Sequence, residues 1–293
     1  MVKRELITSS QAAFLSLHGA VLLLALCALF AKWLTLPALY IVVGRSLFAA
    51  LALFTFCRFT SIPISITRPL LFKLAASGLL LALHWWSFFY TIQISSVTLG
   101  LLTFACFPLF VGIISVAFKL QKFKITTFIQ ALLCILGIYL VVSTQSLITA
   151  DLTALMYGLF SAFSFAVLTL FNKLFVKSSA PITVAFWQNL FSGLWLFPVL
   201  FLYQILPTND ELILIAILGI VFTALAHSLL LSSLQLISAF TVSLTLTLEP
   251  LYGIAAAWVF LDEQLTILMC VGGVLIILAN YWAGREQVTE LIN

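Results

Sequence analysis

Charge is what this chain has least of. Asp, Glu, Lys and Arg together make 8% of its 293 residues, where a soluble domain carries about a quarter. So thin a supply cannot cover a water-facing surface, which excludes a soluble globular protein. Cysteine is sparse as well. None of Cys27, Cys57, Cys106, Cys134 and Cys270 stands at metal-ligand spacing, and each is expected to act as a small apolar residue in the bilayer. HxxxH, CxxC and acidic clusters are missing, so neither a metal nor a cofactor is expected. Long polar connections are missing too, leaving no room for a soluble domain. The short alternating segments of a closed barrel do not occur.

What fills the chain is apolar: 64% hydrophobic residues and a mean hydropathy of +1.25. Runs of about 19 to 25 such residues, the length a hydrocarbon core demands of a helix, recur from end to end. The pattern predicts an all-α membrane protein with ten transmembrane helices, over about 11–34, 38–56, 70–92, 96–118, 125–145, 152–175, 181–204, 212–236, 239–261 and 266–284. The opening MVKRELITSS superficially resembles a signal peptide. The apolar run after it is too long and has no small-x-small cleavage site, so it is taken as the first span.

Lys and Arg set the orientation. With the N-terminus cytoplasmic, the inside segments hold Lys3, Arg4, Arg58, Arg68, Lys73, Lys119, Lys122, Lys124, Lys173, Lys177 and Arg285, and the outside ends hold Lys32 alone. Asp151, Asp210, Glu211, Asp262 and Glu263 collect outside. This obeys the positive-inside rule and predicts that both termini are cytoplasmic. The net charge of +4 then belongs to a belt against the anionic inner leaflet and implies no nucleic-acid partner.

The halves of the chain resemble each other. At an offset of 142, Gln93 meets Gln235, Ser96 meets Ser238, Thr103 meets Thr245 and Pro108 meets Pro250. Leu29-Phe30-Ala31-Lys32 echoes Leu170-Phe171-Asn172-Lys173 at 141. The expected organisation is a first five-helix repeat over 1–145 and a second over 146–293. Five crossings is an odd number, so the second repeat is expected upside down, as in many secondary transporters.

Against this background a few intramembrane residues stand out. Glu249 falls near mid-bilayer, where a charge costs about 2.5 to 3.5 kcal/mol on insertion scales. It reads either as a cavity-lining carboxylate that carries a proton or as a structural, hydrogen-bonded acid. Pro250 and its mate Pro108 each remove a helical hydrogen bond, so they mark hinges or plain kinks. Gly253 and Ala257 would let a neighbouring helix pack closely on the same span.

For Arg45 three readings stay open: pairing with Glu249, anchoring a substrate carboxylate, or snorkelling outward. Its repeat mate is placed at Asn189, an offset of 144. Lys32 and Lys173, at span ends, are read as snorkelling. His84 and His227 occupy nearly equivalent positions and suit either a proton relay or interhelical hydrogen bonding. Trp85, Tyr90, Trp187 and Tyr252 lie deep enough to wall an apolar cavity.

Three stretches carry a family resemblance. They are LPALYIVVGRSLFAALALF with Arg45, HWWSFFYTIQISSVTLGLLTFACFPLFVGII, and LTLEPLYGIAAAWVFLDEQLT with VGGVLIILANYW after it. Over essentially its whole length the chain resembles the ten-helix EamA-type members of the drug/metabolite transporter superfamily. That resemblance implies two EamA-type repeats and a carrier of small metabolites, commonly an exporter of amino acids or related compounds. It also implies a Glu at or near Glu263, whose first-half counterpart here is Gln121.

The expected protein is therefore a secondary transporter working by alternating access, not an enzyme. Its expected partners are a small-molecule substrate, the lipid bilayer and a second copy of itself, and its expected place is the bacterial cytoplasmic membrane. An intramembrane enzyme would need a base with a partner close by. The corresponding expectation is that neither His84 nor His227 clusters with an Asp or Glu. A passive channel would need a continuous polar pore, for which the spans hold few polar residues.

Overall fold

The computed structural model describes residues 2–95, 97–120, 124–142, 152–203, 205–261 and 267–292. Gln121 and Glu263 therefore lie outside the described residues, as does Ser96. Everything regular among those described is helical, the one outcome open to an apolar chain whose backbone must satisfy its own hydrogen bonds in lipid. In order come α1 (Val2–Cys27), α2 (Phe30–Trp33), α3 (Ala38–Thr60), α4 (Arg68–Ile94), α5 (Val97–Phe104), α6 (Phe107–Ala117) and α7 (Ile125–Val142). The second half has α8 (Leu152–Phe175), α9 (Pro181–Leu196), α10 (Val199–Tyr203) and α11 (Asn209–Gly219), then a π-helical turn over Ile220–Leu225. It closes with α12 (Ala226–Ser233), α13 (Ala239–Leu246), α14 (Glu249–Leu261) and α15 (Ile267–Ile292).

Six stretches among the described residues are long and apolar enough to cross a bilayer: Gln11–Trp33, Ala38–Thr60, Arg68–Ile94, Leu152–Phe175, Pro181–Phe201 and Asn209–Ser233. The runs expected at 96–118 and 239–261 are helical but not continuous. Each breaks just before its proline. A proline ring clashes with the carbonyl four residues back; four back from Pro108 is Phe104, and four back from Pro250 is Leu246, the last residues of α5 and α13. Both breaks close with the same short-range bond, Cys106 N–H to Thr103 O at 3.2 Å and Leu248 N–H to Thr245 O at 3.1 Å. In both, the threonine hydroxyl donates back to its own helix, Thr103 to Leu99 O at 2.8 Å and Thr245 to Thr241 O at 2.9 Å, a bond that favours bending.

Helix packing follows the same correspondence. Helix α3 packs along α9, and α7 along α15. The other pairings come in related sets: α4 lies against α8 and α9, while the 209–233 stretch lies against α1 and α3. Likewise α5 and α6 lie against α8, and α13 and α14 against α1.

The tightest crossings match atom by atom. A Cβ on Gly78 would lie 2.6 Å from Phe191 Cβ, 3.0 Å from Gln188 O and 3.2 Å from Ser192 N. One on Gly219 would lie 2.6 Å from Phe48 Cβ, 2.7 Å from Arg45 O and 3.3 Å from Ala49 N. These two sets of neighbours are related by an offset of 143, so Arg45 corresponds to Gln188 rather than to Asn189. Gly253 is not such a crossing, since a Cβ there would stand 3.4 Å from the flexible Leu101 Cδ1. The side chain of Ala257 lies outside those described.

Residues conspicuous for matching between the halves prove to hold the connections. Lys32 Nζ donates to Ser95 O at 3.4 Å, beyond the end of α4. Lys173 Nζ donates to Leu234 O at 2.6 Å and Ile237 O at 2.8 Å, beyond the end of α12. A cation on terminal carbonyls complements the helix dipole, so both lysines do more than snorkel. Gln93 clamps the 34–37 connection, donating to Leu36 O at 2.8 Å and accepting from Ala38 N–H at 3.0 Å. Gln235 donates to Val176 O at 3.4 Å in the corresponding connection. Ser238 caps α13 by accepting from Thr241 N–H at 3.1 Å.

Candidate functional site

A small cavity lies on the seam between the halves. Its polar wall is His84 and Trp85 from α4, His227 from α12 and Glu249 from α14. Its apolar wall is Leu24, Leu81, Phe88, Phe104, Phe165 and Leu230. About 20 Å³ is open to the centre of a water molecule, enough to hold roughly one water. The contributing helices α1 and α4 correspond to α8 and α12, while α5 and α14 each have one end at one of the two matched breaks, so related parts of the two halves face each other across it.

Glu249 opens α14 directly before Pro250 and is 4% exposed. The helix break therefore does two things at once: it frees backbone beside the cavity and aims a carboxyl group at it. The offset of 142 that relates the two breaks pairs Glu249 with Phe107, a buried aromatic. The proline is repeated and the acid is not.

Arg45 is fully buried in α3, which excludes the outward-snorkelling reading. Its Nε donates to Thr223 Oγ1 at 2.9 Å, and its guanidinium carbon sits 3.5 Å over the Trp85 ring and 5.2 Å from that of Phe89. Nη1 and Nη2 have no nitrogen or oxygen partner, so of the three readings pairing with Glu249 is not the one the structure shows. The Cys27 thiol is buried beside the Arg45 guanidinium. Thr223 drew no notice in the sequence. It belongs to the π-helical turn and donates to Leu218 O, five residues back, at 2.7 Å. The signal available for that turn was the repeat offset, which changes from 141 at Gly78/Gly219 to 142 at Gln93/Gln235 as one inserted residue requires.

Partners assign the two histidines opposite tautomers. His84 Nδ1 stands 3.0 Å from the Ser161 carbonyl oxygen, which only accepts, and 2.9 Å from the Ser161 hydroxyl, which itself donates to His84 O at 3.2 Å; Nδ1 then bears the proton and Nε2 does not. His227 Nδ1 receives the Asn189 amide Nδ2 at 3.0 Å, and that amide also donates to Ala185 O at 2.9 Å. The His227 proton is therefore on Nε2, which has no partner. Both rings line the same cavity as Glu249, brought there by helix crossings far apart in sequence, and neither is bonded to the carboxyl group. No group of three or more metal-ligating side chains occurs among the described residues.

Other expected site residues are elsewhere. Trp187 does not line the cavity; its Nε1 donates to Ile64 O at 2.9 Å and ties down the connection before α4. Tyr90 packs edge-on against Tyr157 at 4.9 Å, away from the cavity. Tyr252 is half-buried in α14 and absent from the lining. Asn189 supports the site through His227.

Long apolar helices around a pocket that holds a few buried polar groups define a multi-pass helical membrane protein. The sequence pattern of the EamA-like transporter family matches twice, over residues 11–143 and 152–284, and the chain belongs to that family. Among curated proteins, the Bacillus subtilis "Uncharacterized transporter YxxF" is 24% identical over 226 residues, covering 73% of this chain and 71% of its own. One crystal structure superposes with a TM-score of 0.77 at 13% identity, over 93% of this chain and 97% of its own, and shares the fold. Membership makes the protein a membrane transporter of small molecules.

Proposed function

We propose that this transporter works by secondary-active alternating access, with ten spans in two inverted five-helix repeats and both termini cytoplasmic. The cargo proposed is an amino acid or related metabolite, exported across a bacterial cytoplasmic membrane. The observation that carries this reading is the seam cavity. It is water-sized, it is lined by helices of both halves, and a helix break flanks it in each. An exchange of conformation between the halves would open such a pocket first to one face and then to the other. The lysine caps support inversion, because five passages separate Lys32 from Lys173 and their helix ends then fall on opposite sides.

Glu249, His84 and His227 are the proposed coupling groups. They offer a carboxyl, a free imidazole nitrogen and a proton-bearing one around a single water-sized space. Pro108 and Pro250 are the proposed hinges. Comparing intracellular and excreted metabolites with and without the gene identifies the cargo, and proteoliposomes then measure its flux under an imposed pH gradient. Glu249→Gln is expected to insert normally and to lose gradient-driven flux. A Gln variant with wild-type rate and wild-type pH dependence removes the carboxyl group from the coupling mechanism.

A further inference from the structure

We propose that Arg45 is a carboxylate anchor, and that the substrate it selects is a small carboxylate with an apolar body. This rests on the transport reading and adds a substrate class to it. The argument starts from what the fold requires at this position. Gln188 corresponds to Arg45 in the second half, is equally buried, and satisfies both amide hydrogens, on Ser77 Oγ at 2.9 Å and Asn172 Oδ1 at 2.6 Å. A neutral side chain thus suffices where helices cross in this way. The guanidinium exceeds what packing needs.

That excess is expensive. A buried cation without an anion gives up its hydration, and a cation–π contact with Trp85 returns only part of that. One bond, to Thr223, orients the group, and the two nitrogens of its outer edge are left over. Two parallel N–H donors in one plane match the two oxygens of a carboxylate. The surrounding unpaired groups point the same way: Trp85 Nε1 and His227 Nε2 are further donors without acceptors. The unpaired acceptors on α9, Gln188 Oε1 and Asn189 Oδ1, make no bond to the guanidinium.

Trp85 joins the anchor to the cavity. It lines the cavity and also lies beneath the guanidinium, so displacement of its indole is the movement that admits a ligand to Nη1 and Nη2. The remaining wall, with Phe88, Phe104, Phe165 and Leu230, suits the apolar body. Glu249 then lies beside the bound group without competing for Arg45 in this conformation.

The test uses the purified full-length protein and matched probes: propionate, phenylacetate and phenylalanine, each beside its primary amide. At least one carboxylate is expected to raise the thermal midpoint and to perturb tryptophan fluorescence, with its amide binding roughly tenfold or more weakly. Arg45→Gln is expected to abolish the difference between acid and amide. Arg45→Lys, which keeps the charge but not the planar fork, is expected to retain part of it and serves if the Gln variant does not fold. Amides binding as well as acids, or no carboxylate binding at all, overturns the anchor. The two proposals separate in proteoliposomes: a bound carboxylate that is never carried leaves the anchor standing and removes alternating access, whereas cargo flux undiminished in Arg45→Gln does the reverse.

Discussion

Arg45 reaches its place through one hydrogen bond, and that bond depends on a local irregularity of the opposite helix. The π-helical turn at Ile220–Leu225 frees Thr223 from the ordinary helical pattern, so its hydroxyl both donates to Leu218 O and accepts from Arg45 Nε. Thr223→Val keeps the shape and removes the acceptor. It is expected to destabilise the protein by about 2 kcal/mol, the size of a hydrogen bond to a charged group, measured by denaturant unfolding in detergent. Stability unchanged by this variant would mean that Thr223 does not hold the guanidinium. Trp187 gives the converse case. Trp187→Phe loses the bond to Ile64 O and part of the indole's contact with Phe186 and Phe191, so stability should fall by about 1 to 3 kcal/mol while transport of the cargo stays within twofold of wild type. A large loss of transport would return Trp187 to the substrate path.

Among elements, the decisive contacts are helix crossings where backbone meets backbone. At Gly219 an added methyl would meet Arg45 O and Ala49 N, which cannot turn aside as a side chain can. Gly219→Ala is expected to cost about 1 to 3 kcal/mol and to disturb Arg45 binding functions with it. Gly253→Ala, facing only a leucine methyl at 3.4 Å, is expected to unfold at the wild-type denaturant midpoint. Equal midpoints for the two variants would contradict the crossing geometry. The broken helices were partly legible beforehand, since prolines at matched positions must remove a bond and clash with the same carbonyl in each half. Which glycines would form crossings was not legible. A small residue marks a close approach only once the opposing helix is known, and Gly253, conspicuous in an acid-proline motif, meets a yielding side chain.

At the scale of the whole molecule, inversion of the repeats makes a prediction of its own. Reporter fusions after Ile148 and after Thr208 are expected to read outside, and one after Gln121 cytoplasmic. Reports from the reverse sides would place the positive belt outside and refute the proposed threading. Likeness between the halves was visible in Gln93/Gln235 and Lys32/Lys173 because these residues bind backbone at the connections, where local geometry demands the same donor twice. The charged residues of the site follow no such demand. Arg45 faces Gln188 in the correspondence and Glu249 faces Phe107, so the two halves contribute unlike charges to one region.

Composition determined that this chain lives in a bilayer, and the length and spacing of its apolar runs determined that it is helical and where most helices run, because lipid makes the backbone satisfy itself and no barrel pattern is present. The repeated prolines, glutamines and lysines already announced two related halves, and Glu249 declared itself by the cost of its position. Only the tertiary structure decided which polar groups meet. Arg45, Trp85, His84, His227 and Glu249 come from four helices, two in each half, and their association is set by crossings rather than by spacing along the chain. It also decided which of them are left with donors unspent, for a hydrogen bond that is not made leaves no trace in an amino-acid sequence.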